Sequence, residues 1–137
     1  FGHTKVSVLD GGMEKWLKEN REITNRLEHF KSNNNYKVSE NNNWVKNKKQ
    51  IDANINKKEF KLVDARSKNR FLGLEPEPRQ NMRSGSIKNS FCLPFSELIN
   101  EDHTFIAKEK LLEKFKPTNC EHYENLVFSC VFLSCVL

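Results

Sequence analysis

The sequence has no apolar stretch long enough to cross a membrane, no run of five like charges and no CxxC pair. Its longest apolar run, residues 126–137, falls well short of the roughly twenty residues a spanning helix needs, so no membrane partner is expected. The net charge of +5 comes from both signs spread along the chain, which reads as a solvated Lys/Asn-rich surface rather than a nucleic-acid footprint. The four cysteines, Cys92, Cys120, Cys130 and Cys135, show no paired zinc spacing. A zinc site from Cys120, His122, Cys130 and Cys135 is disfavoured, because Cys130 and Cys135 sit in apolar surroundings. No metal and no cofactor is expected. Reduced thiols in an intracellular compartment are the default. No serine–histidine hydrolase motif and no P-loop is present. The chain starts at Phe1 and stops at Leu137 inside an apolar run, so it is expected to be a fragment of a longer protein.

What is present centres on residues 60–95, FKLVDARSKNRFLGLEPEPRQNMRSGSIKNSFCLPF. Phe60 to Val63 is a short apolar run that predicts a buried strand. Asp64-Ala65-Arg66 follows at its carboxyl end, where open α/β sheets place their ligand sites. Arg70 and Arg79 flank Glu75-Pro76-Glu77-Pro78. Two prolines this close exclude a helix interior and predict an ordered surface loop. Ser84-Gly85-Ser86-Ile87 turns the chain into a second apolar run, Ser90 to Phe95.

Before this stretch, Lys5 to Leu9 alternates and then becomes apolar, which predicts a strand. Asp10-Gly11-Gly12 predicts a turn. Met13, Trp16 and Leu17 recur at helical spacing, with Trp16 expected to pack as core. Residues 20–43 are polar, with two asparagine triplets, and read as a linker with Tyr36-Lys37-Val38 as a short extended piece. A helix is predicted over about residues 45–57. After Phe95 come a helical turn at Ser96 to Ile99, a loop from Asn100, and an amphipathic helix over 107–115. Leu111, Leu112 and Phe115 are expected to face inward on it, and Pro117 stops it. Asn125 to Cys130 predicts a buried strand ending in cysteine. Strand, helix, strand in this order is an α/β pattern.

Several of these segments together resemble the second catalytic domain of the two-domain rhodanese and mercaptopyruvate sulfurtransferase family. The residues that carry the resemblance are Val63-Asp64-Ala65-Arg66, Asn69-Arg70-Phe71, Gly73 to Arg79, Ser84-Gly85-Ser86-Ile87 and Leu93-Pro94-Phe95. Ser86 stands where the family has histidine. Lys5 to Leu17 is similar to the last strand and closing helix of the first domain. The resemblance implies a rhodanese-like parallel sheet flanked by helices, incomplete at the C-terminus. It implies three parts: residues 1–19 as the end of a first domain, 20–44 as an Asn-rich linker, and 45–137 as a second domain truncated after its cysteine strand. The two outer parts invite one further expectation: Val6 to Leu9 joins the same sheet as Leu62-Val63 and Leu126 to Phe128, as in a circular permutant.

The resemblance also implies a chemistry. Cys130 would attack the sulfane sulfur of a donor and carry it as a persulfide to a thiol such as thioredoxin or glutathione, or to cyanide. Arg70 and Arg79 would bind the donor, 3-mercaptopyruvate or thiosulfate, with Arg79 pointing to the mercaptopyruvate branch. Asp64 would orient Arg66. Without the resemblance, both substrate arginines read as salt-bridge partners of Glu75 or Glu77. The location implied is cytoplasmic or mitochondrial. In the family a glycine-rich loop after the cysteine forms an anion nest. Here Val131 to Leu137 contains no glycine, prefers to continue the strand, and is expected to surround Cys130 with apolar side chains in place of inward-pointing N–H groups. This chain is therefore expected to turn over weakly or not at all, or to be an inactive binding module. The related phosphatases need an arginine after the cysteine, and none follows Cys130.

Overall fold

Three short apolar segments form the centre of the fold in the computed structural model, which describes residues 2–27, 29, 35–79, 81–119 and 126–130. They are β1 (Lys61–Asp64), β2 (Phe91–Cys92) and β3 (Leu126–Ser129), all parallel in the order β2-β1-β3. The run Leu62-Val63 is apolar on both faces because β1 is the central strand. Val63 is fully buried, and Leu62, Leu93 and Val127 complete a small apolar core around it.

Helices connect and precede these strands: α1 (Gly12–Lys18), α2 (Lys48–Lys57), α3 (Lys68–Phe71) and α4 (Lys108–Phe115). α2 starts at a reciprocal capping box between Asn47 and Gln50, which satisfies two of the orphan donors of a helix start. Near its end, Asn54 clamps the entry to β1: its amide donates to the Phe60 carbonyl at 2.9 Å and its oxygen accepts the Phe60 N–H at 3.0 Å. α4 packs on the sheet through Phe115, whose ring meets Phe128 edge-on at 6.2 Å. Leu111 joins it half-buried, but Leu112, expected to face inward, is exposed.

The N-terminal expectations need correction. Residues 5–9 form no strand, and Val6, Val8 and Leu9 are exposed. The three-stranded sheet of the described residues contains no pairing with them, so the permutant arrangement does not occur. An alternating sequence with no neighbouring strand leaves its backbone ladder unmade. Tyr36 to Val38 likewise forms no element. Trp16 is half-buried rather than core: its indole donates to the Glu22 carbonyl at 3.0 Å, and the Arg21 guanidinium lies 5.2 Å from its ring. Among the described residues, no helix is long and apolar enough to cross a membrane.

Candidate functional site

The carboxyl ends of the three strands lie side by side, as the parallel register requires. Asp64 of β1 stands opposite Cys92 of β2 and Ser129 of β3. The ladder continues one step further: Ala65 donates to the Ser129 carbonyl at 3.0 Å and Leu93 donates to the Asp64 carbonyl at 3.0 Å. Cys130 therefore leaves the sheet beside the Asp64-Ala65-Arg66 turn. Its thiol is free and half-buried.

A buried charge network grows from this turn. Asp64 accepts the Arg66 backbone N–H at 3.0 Å and its side chain at 2.6 to 3.1 Å. Arg66 also donates Nη2 to the Gly85 carbonyl at 2.7 Å and Nη1 to Glu77. Glu77, whose side chain is fully buried, accepts Arg70 Nη2 on its other oxygen at 2.6 Å. Two carboxylates and two guanidiniums thus alternate, and every buried polar side-chain atom among the described residues has a hydrogen-bond partner. The Glu77 carboxyl is held below its usual range, first by the hydrogen bond from Arg70, against burial, with Arg66 adding to it. Arg66 is raised, first by its bond to Asp64.

Local chemistry explains why these groups meet. Ser67 caps α3 by accepting the Arg70 N–H at 3.3 Å, which presents Arg70 one turn beyond the strand end. Glu77 sits between Pro76 and Pro78, so its backbone is confined before folding. Glu75 ties the loop back to Ser67 and Asn69, and Ser84 donates to the Glu75 carbonyl at 3.2 Å. Gly73 and Gly85 let the two loops touch. A Cβ on Gly73 would stand 3.4 Å from the Gly85 nitrogen, and both residues hold positive φ.

Arg70 is three-quarters or more buried on the inner side of this loop, whereas Arg79 lies exposed just past Pro78. The sequence reading had Glu77 only as a surface salt-bridge candidate. Its burial was hidden because an EPEP segment reads as a solvated loop; the paired arginines at 66 and 70 were the available signal. Asp64 does orient Arg66. On β2, Cys92 is half-buried, and burial first, then the carboxylates of Asp64 and Glu97, push its thiol up. Cys120, His122, Cys135 and the run after Cys130 lie outside the described residues.

No family model matches the chain. It is similar to mouse 3-mercaptopyruvate sulfurtransferase, 32% identical over 130 residues, covering 95% of this chain and 43% of that protein. It is similar to bovine thiosulfate sulfurtransferase, 34% identical over 131 residues, covering 95% of this chain and 44% of that protein. The chain thus spans less than half the length of these relatives. Among solved structures, the Tum1 protein of Saccharomyces cerevisiae matches 65% of this chain and 33% of its own, at 26% identity and a TM-score of 0.51. The sulfur transferase subunit of yeast mitochondrial complex I shares the fold over 99% of this chain and 51% of its own, at 20% identity and a TM-score of 0.72.

Proposed function

We infer that this chain, a member of the rhodanese and mercaptopyruvate sulfurtransferase family, supplies the donor-binding and cysteine-bearing part of a sulfane-sulfur transferase. One observation carries the reading. Cys130 leaves β3 directly beside the β1 turn, and that same turn leads into the helix holding Arg70. A nucleophile at a strand end, with cationic side chains on the neighbouring loop, is an arrangement suited to an anionic sulfur donor.

In this reading the Cys130 thiolate attacks the outer sulfur of thiosulfate or the thiol sulfur of 3-mercaptopyruvate. Sulfite or pyruvate leaves, and Cys130 keeps the sulfur as a persulfide. A second thiol, such as thioredoxin or glutathione, or cyanide then removes it. Arg70 and Arg79 hold the donor anion, since a planar guanidinium matches carboxylate and sulfonate oxygens. The free thiols of Cys92 and Cys130 suit a reducing compartment, cytoplasmic or mitochondrial. Residues 1–19 form the end of a first domain, 20–44 a linker and 45–137 a second domain.

The glycine-free sequence after Cys130 favours binding over turnover in this chain itself. Backbone N–H groups that should stabilise a thiolate and persulfide need a path that Val131 and Phe132 resist. The test is intact-protein mass spectrometry after exposure to thiosulfate, together with sulfide release from 3-mercaptopyruvate in the presence of a thiol. The expected result is at most a slow gain of one sulfur atom, confined to Cys130 and absent in Cys130→Ser. Sulfur carried at Cys92 instead, or rapid turnover surviving Cys130→Ser, overturns the assignment.

A further inference from the structure

Arg66 and Arg70 stand four residues apart, and both donate to Glu77, yet their remaining donors differ. The Arg66 side chain is 8% exposed, and Nε, Nη1 and Nη2 all reach protein acceptors: Asp64, Glu77 and the Gly85 carbonyl. Four of its five N–H donors are thus taken, and the nitrogen that carries the fifth, Nη1, is already held by Glu77. Arg70 gives Nη2, and weakly Nε, to Glu77 at 2.6 and 3.4 Å. Its Nη1 takes no part in that pair. The four charges of Asp64, Arg66, Glu77 and Arg70 also sum to zero, so the cluster attracts no anion by net charge. What it supplies is orientation.

We propose that Glu77 is a positioning residue: it fixes the Arg70 guanidinium so that the Nη1 edge is the donor presented to an anionic ligand, while Arg66 serves the fold. The proposal deepens the donor-binding reading above and rests on it. Three features support it beyond the pair itself. The flanking prolines restrict the Glu77 backbone before folding, so little entropy is lost in presenting its carboxylate. Glu75 and Ser84 anchor the same loop at either side. The carboxylate is fully buried, so water does not compete for the guanidinium.

Charge and orientation make opposite predictions for one substitution, and this decides the matter. Glu77→Gln removes a negative charge beside Arg70. If net charge governed anion binding, thiosulfate would bind more tightly. If Glu77 positions Arg70, thiosulfate binds about tenfold more weakly or worse, the size expected for losing one charge-assisted bond. The experiment is a thiosulfate titration of the full chain followed by the arginine Nε–H resonances in ¹⁵N NMR. In the unaltered chain, the Arg70 signal should exchange slowly with water and shift on titration, while the Arg66 signal stays still. In Glu77→Gln, exchange at Arg70 should quicken while Arg66 remains protected by Asp64 and Gly85.

Tighter thiosulfate binding by Glu77→Gln, unchanged Arg70 exchange, or a titration shift at Arg66 instead of Arg70 overturns the proposal. If Glu77→Gln fails to fold, Glu77→Asp keeps the charge but shortens the reach. It should show the same quickened Arg70 exchange, and unchanged exchange there again overturns the idea. If the unaltered chain binds no thiosulfate, the donor-binding reading fails. Slow Arg70 exchange that Glu77→Gln abolishes would even then support the positioning by Glu77.

Discussion

Lys15 and Asp102 lie 87 positions apart in the sequence and meet through an ammonium–carboxylate bond of 2.8 Å. Two further contacts surround it. Asp10 accepts the Phe105 backbone N–H at 2.9 Å, and His103 pairs with Glu14 at 2.8 Å. The N-terminal turn and α1 therefore rest on the 102–105 turn through polar contacts, not through the sheet. The apolar residues that suggested a strand, Val6, Val8 and Leu9, are not what attaches this segment.

Asp102→Ala should release α1 from the 102–105 turn without unfolding the sheet. Amide exchange of residues 12–18 should speed up while residues 61–64 stay protected. Unchanged protection of α1 would show that the segment is held by other means. The Asp102 carboxyl is held well below its usual range, first by Lys15 and then by Thr104. A lowered folded value means the contact is present above the ordinary carboxylate value of about 4 and fades only as the pH drops through the lowered one. The Lys15–Asp102 contact should thus persist through the neutral and mildly acidic range.

Gly11→Ala should loosen the same segment by a different route. Gly11 holds φ of +84° and is buried, and a Cβ there would stand 2.4 Å from Cδ of Lys15. The left-handed backbone alone costs about 1–2 kcal/mol for an L-residue with a side chain. The Lys15 chain must also swing away from Asp102. A crystal or solution structure of the variant that keeps the 2.8 Å Lys15–Asp102 bond would contradict this.

Arg66→Met should be the most destabilising single change in the β1 turn. It leaves Asp64 without its main partner and Glu77 with only Arg70. Removing one partner of a buried pair costs about 3–5 kcal/mol, a large share of the stability of a domain this small. Urea unfolding checks this, and a loss no larger than for an exposed ion-pair partner such as Lys48 would refute it. Because the Glu77 carboxyl is lowered in the folded state, its contribution is present above about pH 4. It is lost on further acidification, and in Glu77→Gln that acid-dependent part of the unfolding profile should vanish.

Cys92 should alkylate with iodoacetamide more slowly than a free thiol at neutral pH. The thiolate is the reacting form, and burial together with Asp64 and Glu97 raises the Cys92 thiol. Replacing Asp64 by Asn removes one of those charges and should speed the reaction at fixed pH. Mass mapping of the labelled peptides resolves Cys92 from Cys130, and rapid labelling of Cys92 at neutral pH would count against the picture.

Some of this was legible in the chain itself. Leu62-Val63 and Leu126 to Phe128 had to be strands, because short apolar runs of β-branched and aromatic residues have few other ways to bury both faces. The prolines at 76 and 78 fixed a loop, and helical spacing predicted a helix over about residues 45–57, found at Lys48–Lys57, since these effects act within a few residues. The alternation at residues 5–9 was a local signal too, but a strand exists only if another strand is in reach, and among the described residues none pairs with it. Likewise, nothing in Glu75-Pro76-Glu77-Pro78 says which glutamate turns inward. That was decided by Arg66 and Arg70 arriving from the β1 turn with buried charge to neutralise, a demand that arises only when β1, α3 and the loop are assembled.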